Sequence, residues 1–84
     1  MNYSVVWKPS AKDELADIWL SAANRNAVTQ AAHAIDVVLR LDPETRGTIN
    51  FDTVRTLALP PLAVDFEVIE ADRIVWVLSA WNIG

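Results

Sequence analysis

An arginine and two carboxylates interrupt the apolar stretch VRTLALPPLAVDFEV, residues 54–68, and these are the side chains best equipped for chemistry. Asp65 and Glu67 lie two apart on one run, so on a strand they project to one side, where an acid–base pair could work in a cleft. Solvated on an open strand, the same pair only keeps a surface soluble. Arg55 lies among Val54, Leu57 and Leu59 in a chain that has seven Lys and Arg in all. Such a cation either pairs with a neighbouring acid or contacts an anionic ligand. In one hairpin register Glu67 lies directly across from it, a contact worth ~0.2–1 kcal/mol. Trp76, Trp81 and Asn82 complete the candidate binding surface, because exposed indoles stack on bases or anchor a partner chain.

Other chemistries lack their residues. The two glycines, Gly47 and Gly84, build no phosphate loop, and one His with no Cys builds no structural zinc site. Ser21, His33 and Asp36 hold the residue types of a hydrolytic triad, but His33 and Asp36 share a helix face and His33 reads as solvated. No metal and no cofactor is implied.

These residues must be positioned by an α+β arrangement. Tyr3–Trp7 is β-branched and aromatic and ends at Lys8-Pro9, a first strand. Ser10 stands as a helix cap ahead of Asp13 and Glu14, and Ala11, Leu15, Ile18, Trp19 and Ala22 form an apolar stripe, predicting a helix to about Ala23 with Trp19 in the core. Asn24-Arg25-Asn26 breaks it. From Ala27 a second stripe, Val28, Ala31, Ala32, Ile35, Val38 and Leu39, runs until Asp42-Pro43 stops it. Two helices joined so closely form an antiparallel hairpin.

After a polar loop, Asp42 to about Asn50, the period changes to two. Phe51–Leu59, Leu62–Glu70 and Ile74–Trp81 read as strands, turning at Pro60-Pro61 and Ala71-Asp72-Arg73. The last, IVWVLSAW, is apolar on both faces, so it is expected to be a central strand covered on both sides or to line an exposed apolar groove. The order is β-α-α-β-β-β, a mostly antiparallel sheet with a two-helix hairpin on one face and the other face free for function.

Eighty-four residues, 52% of them hydrophobic, are read as a single domain, 1–84, with a dense core. The opening MNYSVVWKPSAKDE lacks a signal-peptide pattern, and no apolar run approaches the ~20 residues of a membrane span, so a soluble, cytoplasmic protein without membrane contact is expected. The net charge is −4 and the basic residues are scattered, which disfavours general nucleic-acid binding and would attract a basic partner.

In order and spacing the chain resembles the RelE/ParE toxin superfamily of bacterial toxin–antitoxin systems, including plasmid-stabilisation proteins. VVWKPSAKDELADIWL is similar to that family's opening strand, proline and helix. AAHAIDVVLRLDPETRG is similar to its second helix and exit loop, and VRTLALPPLAVDFEVIEADRIVWVLSAW to its arginine-bearing hairpin and closing strands. The resemblance implies a toxin of a type II toxin–antitoxin system, neutralised by a cognate antitoxin and acting either on mRNA at the ribosome or on DNA gyrase. It also implies that a nuclease member would use basic residues on the sheet. Arg55 matches one such position. Ala63 stands where an arginine is usual, and Trp81, Asn82 and Ile83 stand where basic residues, and often a Tyr or His, follow the last strand. Whether the chain is an endoribonuclease is therefore left open, with Arg55 the best catalytic candidate. The alternative is a non-toxic, degenerate member acting only as a protein-interaction module. A homodimer would be another way to cover the last strand.

Overall fold

Period-two alternation decides which way each strand of this protein faces. In the computed structural model, which describes residues 2–84 and at Phe51 the backbone only, the elements run β1 (Ser4–Trp7), α1 (Pro9–Ser21), α2 (Arg25–Leu41), β2 (Thr48–Phe51), β3 (Val54–Leu59), β4 (Leu62–Ile69) and β5 (Ile74–Asn82). They form a five-stranded sheet in the order β1-β5-β4-β3-β2. Only β1 and β5 run parallel, and every other pair is antiparallel. The apolar β5 is thus an interior strand, as its composition suggests, and α1 packs across one side of it, while the other side, with Trp76 half-buried and Trp81 exposed, is not covered.

Val64, Phe66, Val75 and Val77 are fully buried on one face, beneath Ala11 of α1 and Val28, Ala31, Ile35 and Leu39 of α2. With one exception, both helices turn their stripes to the sheet: Ala11, Val28, Ala31, Ile35 and Leu39 are buried, while Leu15, Ile18, Ala22, Ala32 and Val38 are partly covered against that core. Trp19 is 40% exposed and so is not a core residue. At 100° per residue it lies about 80° round the helix from Ala11, at the margin of the stripe rather than on it.

Helix starts differ from the sequence expectation. α1 begins at Pro9, and its N-cap, Lys8, makes no side-chain capping bond. Proline suits the first helical position because it lacks only an N–H that would have no partner there, so Ser10 lies inside the helix. α2 begins at Arg25, two residues before the expected start, where the Asn24 side chain accepts a hydrogen bond from Ala27 N–H at 3.1 Å.

The segment 42–50, expected as a loop, contains the start of a fifth strand. β2 pairs antiparallel with β3 (Thr48↔Thr56, Ile49↔Arg55), with a register irregularity before Phe51. Asp52 turns the chain at φ 52°. The β3–β4 turn is Pro60-Pro61, joined by a cis peptide. A short 3₁₀ turn, Glu70–Asp72, and Arg73 at φ 54° connect β4 to β5.

Gly47 admits the chain to β2 at φ 70°, and a Cβ there would lie 2.4 Å from the Thr56 carbonyl oxygen. Both the left-handed backbone and the overlap oppose any side chain. Gly47→Ala is expected to destabilise the fold by at least about 2 kcal/mol, read as a shifted urea midpoint at unchanged m-value.

Candidate functional site

The β3–β4 register separates the residues that the sequence placed together. Arg55 lies opposite Phe66, whereas Glu67 lies opposite Val54 and Asp65 opposite Thr56. Directly paired residues share a face, so Arg55 is on the helix-covered side with Leu57 and Leu59, and the two carboxylates are on the open side. Arg55 and Glu67 therefore do not pair across the hairpin. Among the described residues the ion pairs are Arg40–Asp36 and Arg73–Glu70, and neither uses Arg55. The parity of Arg55, Leu57 and Leu59 is a signal in the sequence that could have found this placement.

Asn82 also leaves the expected surface. It pairs with Leu62, on the helix side, and lines a recess of about 370 Å³ with Ala23, Asn24 and Pro60. Asp65, Glu67, Trp76 and Trp81 do gather on the open face: Asp65 faces Ser79, Glu67 faces Trp76 and Ala63 faces Trp81. The Thr56 hydroxyl donates to Asp65 Oδ1 at 2.6 Å and the Ser79 hydroxyl approaches Oδ2 at 3.4 Å. Thr53 donates to Glu67. The hydroxyls orient both carboxylates without neutralising them. Lys8 reaches this side too, its Nζ 5.4 Å from the Trp76 ring centroid, a favourable cation–π distance. A face with two oriented anions and one tethered cation is poorly built to stabilise a developing phosphate charge, which needs donors and cations aimed at it.

The helix layer carries a second feature. Between α1 and α2 opens an apolar groove of about 700 Å³, lined by Leu15 and Trp19 of α1, Val28 and Ala32 of α2, and Trp7 of β1, with Lys12, His33 and Asp36 also contributing. Trp19 is held at its side. The indole N–H donates to Thr29 Oγ1 at 3.1 Å, and the Arg25 guanidinium stacks 4.6 Å from the ring centroid while bonding the carbonyls of Trp19 and Leu20. His33 is exposed on α2 and Ser21 lies at the end of α1, with no hydrogen bond joining either to Asp36 among the described residues.

Neither a protein-family model nor a curated protein matches the sequence. Solved structures do match the fold. The RelBE2 toxin–antitoxin complex from Mycobacterium tuberculosis superposes with a TM-score of 0.79 at 12% identity, covering 98% of this chain and 99% of that one. The chromosomal ParDE toxin–antitoxin system from P. aeruginosa gives 0.73 at 17% identity, covering 98% and 97%. A free E. coli RelE toxin mutant gives 0.72 at 16% identity, covering 98% and 84%. This is the RelE/ParE fold. In the RelE/ParE arrangement of this chain, the helix pair and its groove lie on one side of the sheet, and Asp65, Glu67, Trp76 and Trp81 lie on the other. No helix among the described residues is long and apolar enough to cross a membrane.

One cluster escaped the sequence reading because its members are far apart in the chain. The Tyr3 hydroxyl lies 2.8 Å from Glu44 Oε1 and 2.7 Å from Glu70 Oε2, with its proton shared between them, and it accepts from Arg73 Nη1 at 2.9 Å. Arg73 also stacks 4.7 Å from the Tyr3 ring centroid. The hydrogen bond to Glu70, then that to Glu44, hold the phenol proton and push its pKa up to about 12. Hydrogen bonds from Tyr3 and with Glu44 likewise hold Glu70 below the usual carboxylate value. The cluster ties the N-terminus to the α2–β2 connection and the β4–β5 turn, a fastening role.

Tyr3 is the only tyrosine, so tyrosinate absorbance reports it alone. In the folded protein it should titrate near pH 12 rather than 10. The contribution that depends on the Tyr3 proton is complete below pH 10, where the phenol is protonated in both states. It is lost as pH rises from 10 through about 12, because the unfolded chain ionises first. Urea midpoints measured across that range should fall more steeply for wild type than for Tyr3→Phe.

Proposed function

We propose that this chain is the toxin-type component of a type II toxin–antitoxin pair and that a cognate antitoxin lays an amphipathic helix in the α1/α2 groove. The groove is the observation that carries the reading. Leu15, Val28, Ala32 and Trp7 offer an apolar lining, while Lys12, His33 and Asp36 supply polar groups beside it. A helix presenting anchors at i, i+3, i+4 and i+7 is matched to such a surface. A lasting complex needs an interface of at least ~1,000 Å² in total, so flanking antitoxin residues would extend beyond the groove. The fold shared with the RelBE2 and ParDE structures supports the same partner class.

Action on mRNA by sheet cations is not what the open face favours. Asp65 and Glu67 would repel a phosphate, and Arg55 lies on the far side of the sheet. That observation favours a protein target, gyrase being the family's example, or the second reading: a protein-interaction module without nuclease activity.

Induced expression should arrest growth, and co-expression of a short antitoxin-like gene beside this one should restore it. Absence of arrest would leave the interaction module as the reading. Transcripts should stay intact during induction in wild type and Arg55→Ala alike, whereas translation-dependent cleavage abolished by Arg55→Ala would restore the nuclease. Ala32→Glu, which puts a carboxylate in the groove, should weaken antitoxin binding at least about tenfold by calorimetry, with the far-UV spectrum unchanged.

A further inference from the structure

We propose that the open face of the sheet is a second docking surface, separate from the helix groove, and that it takes a lysine- or arginine-bearing apolar segment of a partner protein rather than nucleic acid. This goes beyond the toxin reading and does not depend on the groove being filled.

The argument is one of charge and cover. Trp81 is 38% exposed, and Trp76 and Val54 are half-buried, so the face carries incompletely covered apolar surface among its polar side chains. Within it, Asp65 and Glu67 are held in place by Thr56, Ser79 and Thr53, all neutral donors. Neither carboxylate has a cation within 4.0 Å among the described residues. A purely apolar partner would strip water from these two charges and return nothing, and covering an unpaired carboxylate is strongly unfavourable. A phosphate backbone would add repulsion, in a chain whose net charge is already −4. A cationic side chain flanked by apolar ones removes both penalties.

The register supplies a seat for it. Glu67 and Trp76 are directly paired, so a guanidinium or ammonium entering there meets a carboxylate and an indole together. Lys8 Nζ already lies 5.4 Å from the Trp76 ring centroid, within the range of a cation–π contact. Asp65, next along β4, offers the second charge at the two-residue spacing of an extended segment.

The probes are a fluorescein-labelled peptide of alternating arginine and valine, its glutamate–valine counterpart, and a labelled single-stranded RNA, each titrated by anisotropy against the full chain. The arginine peptide should bind, more weakly as salt rises, while the other two should not. Asp65→Asn with Glu67→Gln, which keeps the size and one acceptor oxygen at each position while removing both charges, should weaken it at least about tenfold. Asp13→Asn with Asp17→Asn, the same change of net charge on exposed α1, should leave binding unchanged. In the wild-type protein, which needs no variant to fold, the indole N–H resonances of Trp76 and Trp81 should shift on binding while that of Trp19 stays put. RNA binding on this face, equal weakening by the α1 pair, or a shift at Trp19 in place of the sheet tryptophans would each overturn the proposal. Failure of growth arrest or antitoxin rescue would count against the toxin reading alone, since the groove and sheet tryptophans report separately.

Discussion

Burial of Phe66 against the helix layer sets the parity on which both faces of the molecule depend. Phe66 is wholly covered, with Val64 beside it on β4 and Val77 opposite on β5. Covering a side chain of this kind is worth ~1.5–3 kcal/mol. Because strand side chains alternate, placing Phe66 inside sends Asp65 and Glu67 outside, and a slip of one residue would drive both carboxylates into the core. The same parity passes across the ladder to β3, where it turns Arg55 inward with Leu57. The acidic character of the open face is thus a consequence of packing on the other side.

The ends and edges of this core are finished by polar contacts reaching across the chain. β1 pairs with β5 only as far as Trp7↔Val77, which leaves the later β5 backbone without a strand neighbour on that side. Glu14 of α1 fills part of the gap by accepting from Ala80 N–H at 3.1 Å. A backbone donor in a partly covered position needs such a partner, and α1 supplies it while lying across β5. At the other end, Tyr3 N–H bonds the Arg40 carbonyl at 2.8 Å, and its hydroxyl joins Glu44 and Glu70. The helices are therefore attached to the sheet through named polar contacts as well as apolar packing.

Much of this was legible in the residues, and the misses have physical causes. The two helix stripes, the alternation of β4 and the interior place of β5 follow from local periodicity, which burial enforces strongly. β2 was hidden because Thr48–Phe51 is four residues among polar neighbours, and it becomes a strand only by pairing with β3. Periodicity does not place Trp19, because the margin of a helix stripe faces either core or groove, and only the neighbouring helix decides which. In the candidate site, Asp65, Glu67, Trp76 and Trp81 share a face as expected. Arg55 and Asn82 do not, because membership of a face is settled by parity and register rather than by closeness in sequence. The Tyr3 cluster joins residues 3, 44, 70 and 73, and no local pattern announces such a meeting.

The outer strand β2 has a bearing on how the protein behaves at high concentration. It has four residues, its pairing is interrupted between Ile49 and Phe51, and Ile49 is 66% exposed. A long, regular border would present a continuous template on which further chains could stack into fibres. Here the template is four residues long and broken by the irregularity before the chain turns at Asp52, which limits how far a further chain could pair along that border.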